Sequence, residues 1–271
     1  MQLFDTHCHI HEAWHSVNGP DATAGLWAKA GNPDPAAIIA RARQANVHRM
    51  LCVGTTLPDS KLAVEFVQEH SECWATIGLH PHEAKEYAGD APKLAEFAAL
   101  VGRPKLVGIG ECGLDYFYEH SGKADQEKIL RFQIELALRH DKPMVFHVRD
   151  AFRDFWKVFD SYNGIRGVIH SFSATRTDLD EVLARGLFVG LNGIMTFTKN
   201  GEQLAAAKAV PIDRLLLETD APFLTPAPYR GTICEPKHIR VTAEFLATLR
   251  GEPITLLAES TTKNARALFG I

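Results

Sequence analysis

The sequence predicts a single (β/α)8 TIM barrel of the α/β class over residues 1–271, and three observations carry that expectation. Eight short apolar runs rich in Val, Ile and Leu recur along the chain, and segments with helical periodicity separate them. The length of 271 residues suits one such barrel without a second unit. The runs stay apolar rather than alternating with polar residues, as parallel strands covered on both faces should.

In order, the expected strands are Leu3–Ile10, Val47–Val53, Trp74–Leu79, Leu106–Ile109, Met144–Val148, Gly167–Ile169, Leu187–Leu191 and Leu215–Leu217. The first expected helix, Pro35–Ala45, has Asp34 placed to cap it and a proline at its first position. Leu62–His70, Pro92–Val101, Lys123–His140, Ala151–Phe159, Thr177–Ala184 and Gln203–Ala209 continue the alternation, and Lys237–Leu249 and Thr255–Phe269 close it. His11–Pro33 is the one long stretch without clear periodicity, and a loop of that length in a compact barrel is functional or mobile.

Composition limits the function classes. A net charge of −4 supplies no global field for a polyanion, so nucleic-acid binding would have to be local, around bound cations or a small basic patch. No stretch approaches the ~20 apolar residues of a membrane span, and the start MQLFDTHCHI lacks a signal peptide's basic and apolar regions. Cysteines 8, 52, 73, 112 and 234 are odd in number and form no C-x-x-C pair, which fits free thiols in a reducing compartment. A cytoplasmic protein with no membrane contact and no obligate protein partner is expected.

The chemistry lies where histidines and carboxylates meet strand ends. His7 and His9, two apart in FDTHCH, point to one face of the first strand, and Cys8 points to the other. Glu111 follows the fourth strand, His147 ends the fifth, His170 the sixth, and Asp220 follows the eighth. A barrel brings these strand ends to one mouth. A lone histidine at a strand end is ordinary packing; six ligand-type residues at five strand ends suit Zn²⁺, Mn²⁺ or Mg²⁺. The surplus over four ligands favours two ions, with Glu111 able to give one oxygen to each.

Other patterns carry less. His11–His15 spells H-E-x-x-H, a zinc-protease signature that works only on an α-helix. Here it follows a strand directly, and Asn18-Gly19-Pro20 would stop a helix early, so it reads as a coincidence. There is no Gly-rich phosphate loop opening a helix and no G-x-S-x-G elbow. Most loop cations read as solvated surface. Arg149, two residues past His147, is the one placed to hold substrate.

FDTHCHI, IGLHPHEA, VGIGECGLDYFY, KPMVFHVRDA, VIHSFSAT and LLLETDAPFL, in this order and spacing, make the chain resemble the TatD family of metal-dependent hydrolases. The resemblance implies that His7, His9, Glu111 and Asp220 hold one divalent ion. Glu111, His147 and His170 would hold the second, and His80 would lie near the substrate phosphate. It also implies a deoxyribonuclease, of 3′-to-5′ exonuclease type in some members, with DNA or tRNA as the nucleic-acid substrate. A D-aminoacyl-tRNA deacylase or other ester hydrolase is the alternative within the same family, and a non-catalytic metal protein is a third reading that the ligand surplus disfavours. The expected reaction is metal-assisted hydrolysis in which Asp220 orients the attacking water and accepts its proton.

Overall fold

The structure is a computed structural model describing residues 1–15, 22–118 and 120–271. Its strands are β1 (Leu3–Cys8), β2 (Val47–Val53), β3 (Cys73–Ile77), β4 (Leu106–Asp115), β5 (Met144–Arg149), β6 (Gly167–Ile169), β7 (Phe188–Leu191) and β8 (Leu215–Leu217). They form one sheet in sequence order, each strand parallel to the next. The barrel closes between β1 and the segment after β8. There Asp220 donates its N–H to the His7 carbonyl (2.8 Å) and His9 donates to the Ala221 carbonyl (2.7 Å). The seam of closure therefore runs through the residues singled out for chemistry.

Helices fill the connections: α1 (Ala22–Lys29), α2 (Pro35–Gln44), α3 (Leu57–Glu69), α4 (Ala91–Ala98), α5 (Lys123–Arg139), α6 (Phe152–Phe159), α7 (Arg176–Ala184), α8 (Gly201–Ala209), α9 (Ile239–Arg250) and α10 (Ile254–Phe269). Asp34 caps α2 as expected, accepting from the Ala36 N–H. α3 starts at Leu57, five residues before the expected Leu62. Thr56 caps it by accepting from the Asp59 N–H, and Pro58 sits in its first turn.

Two hydrophobic layers result. Phe4, Leu51, Val53, Val107, Val145, Val168 and Leu216 fill the barrel, and Leu268 and Phe269 of α10 pack on them from below. A larger shell lies between strands and helices, with Cys8, Ile77, Ile109, Phe146 and Leu191 facing Phe66, Phe97, Ile134 and Phe155. A simple period of two would send Phe4 and Cys8 to the same side, yet they lie in different layers. The register irregularity between Asp5 and Cys8 resolves this, because a bulge re-aims the side chains beyond it. It turns His7 and His9 into the barrel while the Cys8 thiol packs outward and donates to the Leu51 carbonyl.

The expected long loop from His11 is partly helical. A 3-10 helix covers Ile10–His15, and α1 follows the undescribed stretch, which holds Asn18, Gly19 and Pro20. Trp27 of α1 is fully buried and donates its indole N–H to the His9 carbonyl (3.0 Å), tying this segment to the end of β1.

Candidate metal centre

Glu111 sits at the middle of the site. It lies within β4, which runs on to Asp115 rather than ending at Ile109. Gly110, with φ at +133°, lets β5 approach here, since a Cβ at that position would collide with the Val145 carbonyl. Gly78 of the neighbouring segment similarly leaves room for the Glu111 backbone. Only glycine fits at Gly110 in VGIG-E or at Gly78 in IGLH, which explains these two glycines better than a phosphate loop does.

Four imidazoles surround the Glu111 carboxylate. Its Oε2 lies 3.3 Å from His7 Nε2, and its Oε1 lies 2.7 Å from His147 Nδ1, 3.4 Å from His170 Nε2 and 3.5 Å from His80 Nε2. On the Oε2 side, Asp220 Oδ1 is 3.4 Å from His9 Nε2 and 3.6 Å from His7 Nε2. The two carboxylate oxygens thus face two different donor groups. All six residues expected as ligands converge, and groups such as His7–His9–Glu111, His7–His170–Asp220 and His80–Glu111–His147 bring donor atoms within 4.8 Å of one another. Imidazole and carboxylate donors without a thiolate suit Zn²⁺, Mn²⁺ and similar divalent ions, so the residues present fit a metal.

Asp220 reaches this position through backbone strain, with φ at +63°. Aspartate tolerates the left-handed region better than most residues, and such strain at a site points to function.

A second tier of carboxylates orients the imidazoles, and sequence reasoning missed it. Asp115 Oδ2 accepts from His147 Nε2 (2.8 Å) and His82 Nε2 (3.0 Å). Glu218 Oε1 lies 3.0 Å from His170 Nδ1. His9 Nδ1–H donates to the Val53 carbonyl (2.8 Å). In His147, His170 and His9 the other ring nitrogen faces the centre. The missed signal was chemical: every candidate histidine ligand needs an acceptor for its second nitrogen, and Asp115 and Glu218 lie close in sequence to Glu111 and Asp220.

Electrostatics follow from burying these groups together. Burial alone would raise the Glu111 carboxyl, but His170, His80 and hydrogen bonds from His147 and His7 hold it well below the usual range. Asp220 is lowered in the same way, burial being outweighed by the His9 hydrogen bond and by His170 and His7. His170 is pushed up to about 10, as Glu218, Glu111 and Asp220 overcome the effect of burial. His9 and His147 also rise against burial, drawn by Asp220 in one case and by Asp115 and Glu111 in the other. His80 goes the other way, to about 4, because burial dominates.

A measurable consequence concerns protons. Imidazole coordinates metal only when neutral, so a histidine whose pKa is raised above neutrality must lose a proton on loading. Calorimetry of Zn²⁺ or Mn²⁺ loading into chelator-stripped protein, in buffers of different ionisation enthalpy, should show net proton release near neutral pH. Affinity should rise with pH over the same range. A heat independent of the buffer would mean the imidazoles are already neutral.

His80 is among the six-residue centre's immediate neighbours. Its Nδ1 accepts the His82 N–H (3.2 Å), which leaves its Nε2, 3.5 Å from Glu111 Oε1, as a donor. Arg149 ends β5 with its guanidinium stacked 3.9 Å from the Phe117 ring centroid. Of the other loop cations, Lys237 pairs with Glu235 and Arg240 with Glu244.

The H-E-x-x-H run lies on the 3-10 helix, where residues four apart do not share a face. His11 turns to Asp59 instead, 2.7 Å away. Glu12→Gln should therefore leave turnover within a few-fold of the parent, whereas a zinc protease would lose its base. Near-total loss with metal content intact would relocate the chemistry to this run.

Among the described residues, no helix is long and apolar enough to cross a membrane. The family model for TatD-related DNases matches residues 4–270. The chain is 37% identical over 242 residues to the 3′-5′ ssDNA/RNA exonuclease TatD of Klebsiella pneumoniae, covering 86% of this chain and 91% of that protein. It is 34% identical over 274 residues to the metal-dependent hydrolase YcfH of Escherichia coli K12, covering 100% of this chain and 97% of that protein. The crystal structure of YjjV, a TatD homologue from E. coli K12, superposes with a TM-score of 0.87 at 24% identity, covering 99% of this chain and 98% of that one, and bears on the fold alone. With a match from end to end and relatives well above 30% identity, the chain belongs to the TatD-related DNase family of metal-dependent hydrolases.

Proposed function

We propose that this protein is a nuclease that hydrolyses phosphodiester bonds in single-stranded DNA or RNA at a centre holding two divalent ions. The observation that carries the reading is the Glu111 carboxylate, one oxygen toward His7 and the other toward His147 and His170. His7, His9, Glu111 and Asp220 form one ligand set, and Glu111, His147 and His170 the other. Divalent ions bound there supply Lewis acidity and make water easier to deprotonate.

The chain's own residues do the rest. Asp220, ionised at neutral pH, orients the attacking water and takes its proton as the new P–O bond forms, and the departing sugar oxygen is protonated from solvent water as its P–O bond breaks. Neutral His80 donates Nε2–H toward a phosphoryl oxygen, and Arg149 contacts the bound strand at the rim. The local cationic centre answers the net charge of −4. The exonuclease activity named for the K. pneumoniae relative supports the choice of substrate.

The test is a screen with metal-loaded protein against 3′- and 5′-labelled single-stranded oligonucleotides, D-aminoacyl-tRNA and simple carboxylic esters. Stepwise shortening from the 3′ end is expected. Turnover of the aminoacyl ester alone would move the protein to the deacylase class.

A further inference from the structure

Beside the mouth, a cavity of ≈ 530 Å³ opens between the loops that follow β4, β5 and β6 and the start of α8. This volume lies within the usual range for small-ligand pockets, about 300–1,000 Å³. Phe117, Arg149, Phe172, Thr175, Asn200 and Gln203 line it. Phe172 is buried and forms an inner wall, but Phe117 is 54% exposed, a large apolar ring left open to solvent beside a catalytic mouth. The Arg149 guanidinium lies 3.9 Å from the Phe117 ring centroid and 4.9 Å from that of Tyr118. Two flat groups are thus held together at the entrance.

This platform is fixed relative to the centre. Asp115 Oδ1 accepts the backbone N–H groups of Phe117 and Tyr118, both at 2.9 Å, while its Oδ2 accepts from His147 Nε2. Arg149 is two residues beyond His147 on β5, roughly 7 Å along the strand. Charge decides what the cavity can hold. Asp150, Asp178 and Glu202 also face it, against the single cation of Arg149, so a phosphate is disfavoured inside. An uncharged aromatic ring is favoured: the Thr175 hydroxyl and the Gln203 amide are already hydrogen-bonded to Asp178, Thr198 and the Ser173 carbonyl, and Asn200 Oδ1 caps α8, so the wall offers a ring packing surface more than charge.

We infer that this cavity is a nucleobase subsite, in which Phe117 and Arg149 stack the base of a nucleotide whose phosphate lies at the histidine–carboxylate centre. The inference rests on the nuclease reading above and adds which part of the strand is gripped and by which residues. Stacking on an aromatic ring tolerates any base, so the subsite selects unpaired strands rather than a sequence.

The test uses the full chain and a short single strand with cleavage-resistant phosphorothioate links, carrying fluorescent 2-aminopurine at its 3′ terminus. Binding to the parent should quench the base, and Phe117→Ala should weaken Kd by about 5- to 100-fold, the usual worth of one base–aromatic stack. Phe117→Tyr should bind within a few-fold of the parent. Phe117 is more than half exposed, so its truncation does not hollow the core. An abasic terminus, its binding followed by the anisotropy of a 5′ fluorophore, should weaken parent binding by a similar factor, with no further loss on adding Phe117→Ala. Equal affinity for parent and Phe117→Ala, or losses that simply multiply, would overturn the subsite. Cleavage assays separate the two ideas. Cleavage without any dependence on Phe117 leaves the nuclease and removes the subsite, and base-dependent binding without cleavage does the reverse. Neither binding nor cleavage of the strand removes both.

Discussion

Glu111→Gln is expected to empty both metal positions together and to cut turnover by more than the about 10–100-fold that removal of an outer-shell partner costs. The geometry makes this a strong test, because the carboxylate has one oxygen 3.3 Å from His7 and the other within 3.5 Å of His147, His170 and His80. The amide keeps the shape but carries no charge, and its nitrogen is a donor where a ligand must accept. Elemental analysis of parent and variant under saturating Zn²⁺ or Mn²⁺ gives the answer. Two ions per chain in the parent and a joint fall in the variant match a bridge. Loss of a single ion in the variant would make Glu111 a terminal ligand of one site, and one ion in the parent would remove the binuclear centre altogether.

The residues behind that test were legible because strand ends are a small set of positions. His7, His147 and His170 each end or follow an apolar run, and a parallel barrel sends all such ends to one mouth. Less legible were features that break local rules. β4 read as four residues because Gly110 and Gly113 make a poor strand by composition, yet their missing Cβ atoms are what let β5 pack against it through Asp115. The inward turn of His7 and His9 agreed with a period of two, but Phe4 on the same strand obeys the opposite parity. Only the bulge after Asp5 reconciles them. α1 escaped notice because Gly25 lies inside it and its anchor is tertiary, the Trp27 indole on the His9 carbonyl. The aromatic pair Phe117 and Tyr118 carries no mark of its own in the sequence, and exposure alone sets them apart.

The second large effect concerns proton transfer at Asp220. Its carboxylate is almost enclosed, 15% exposed, with Oδ1 within 3.6 Å of both His7 and His9. The His9 hydrogen bond and the neighbouring imidazoles keep it ionised at neutral pH despite burial, so it is available as a proton acceptor. Its backbone sits at φ +63°, a strained conformation that aims the carboxylate into the mouth. Asp220→Asn retains that shape and one coordinating oxygen while removing the proton-accepting charge. If Asp220 were a ligand alone, excess metal would restore the variant. As ligand and base together, it should leave the variant about 10²–10⁴-fold below the parent in kcat even at full occupancy, the usual worth of a positioned general base. The measurement is kcat on a single-stranded oligonucleotide over a metal titration, with occupancy followed in parallel. Recovery to the parent rate at full occupancy would exclude Asp220 as the base, and the attacking water would then have to ionise without help from a protein carboxylate.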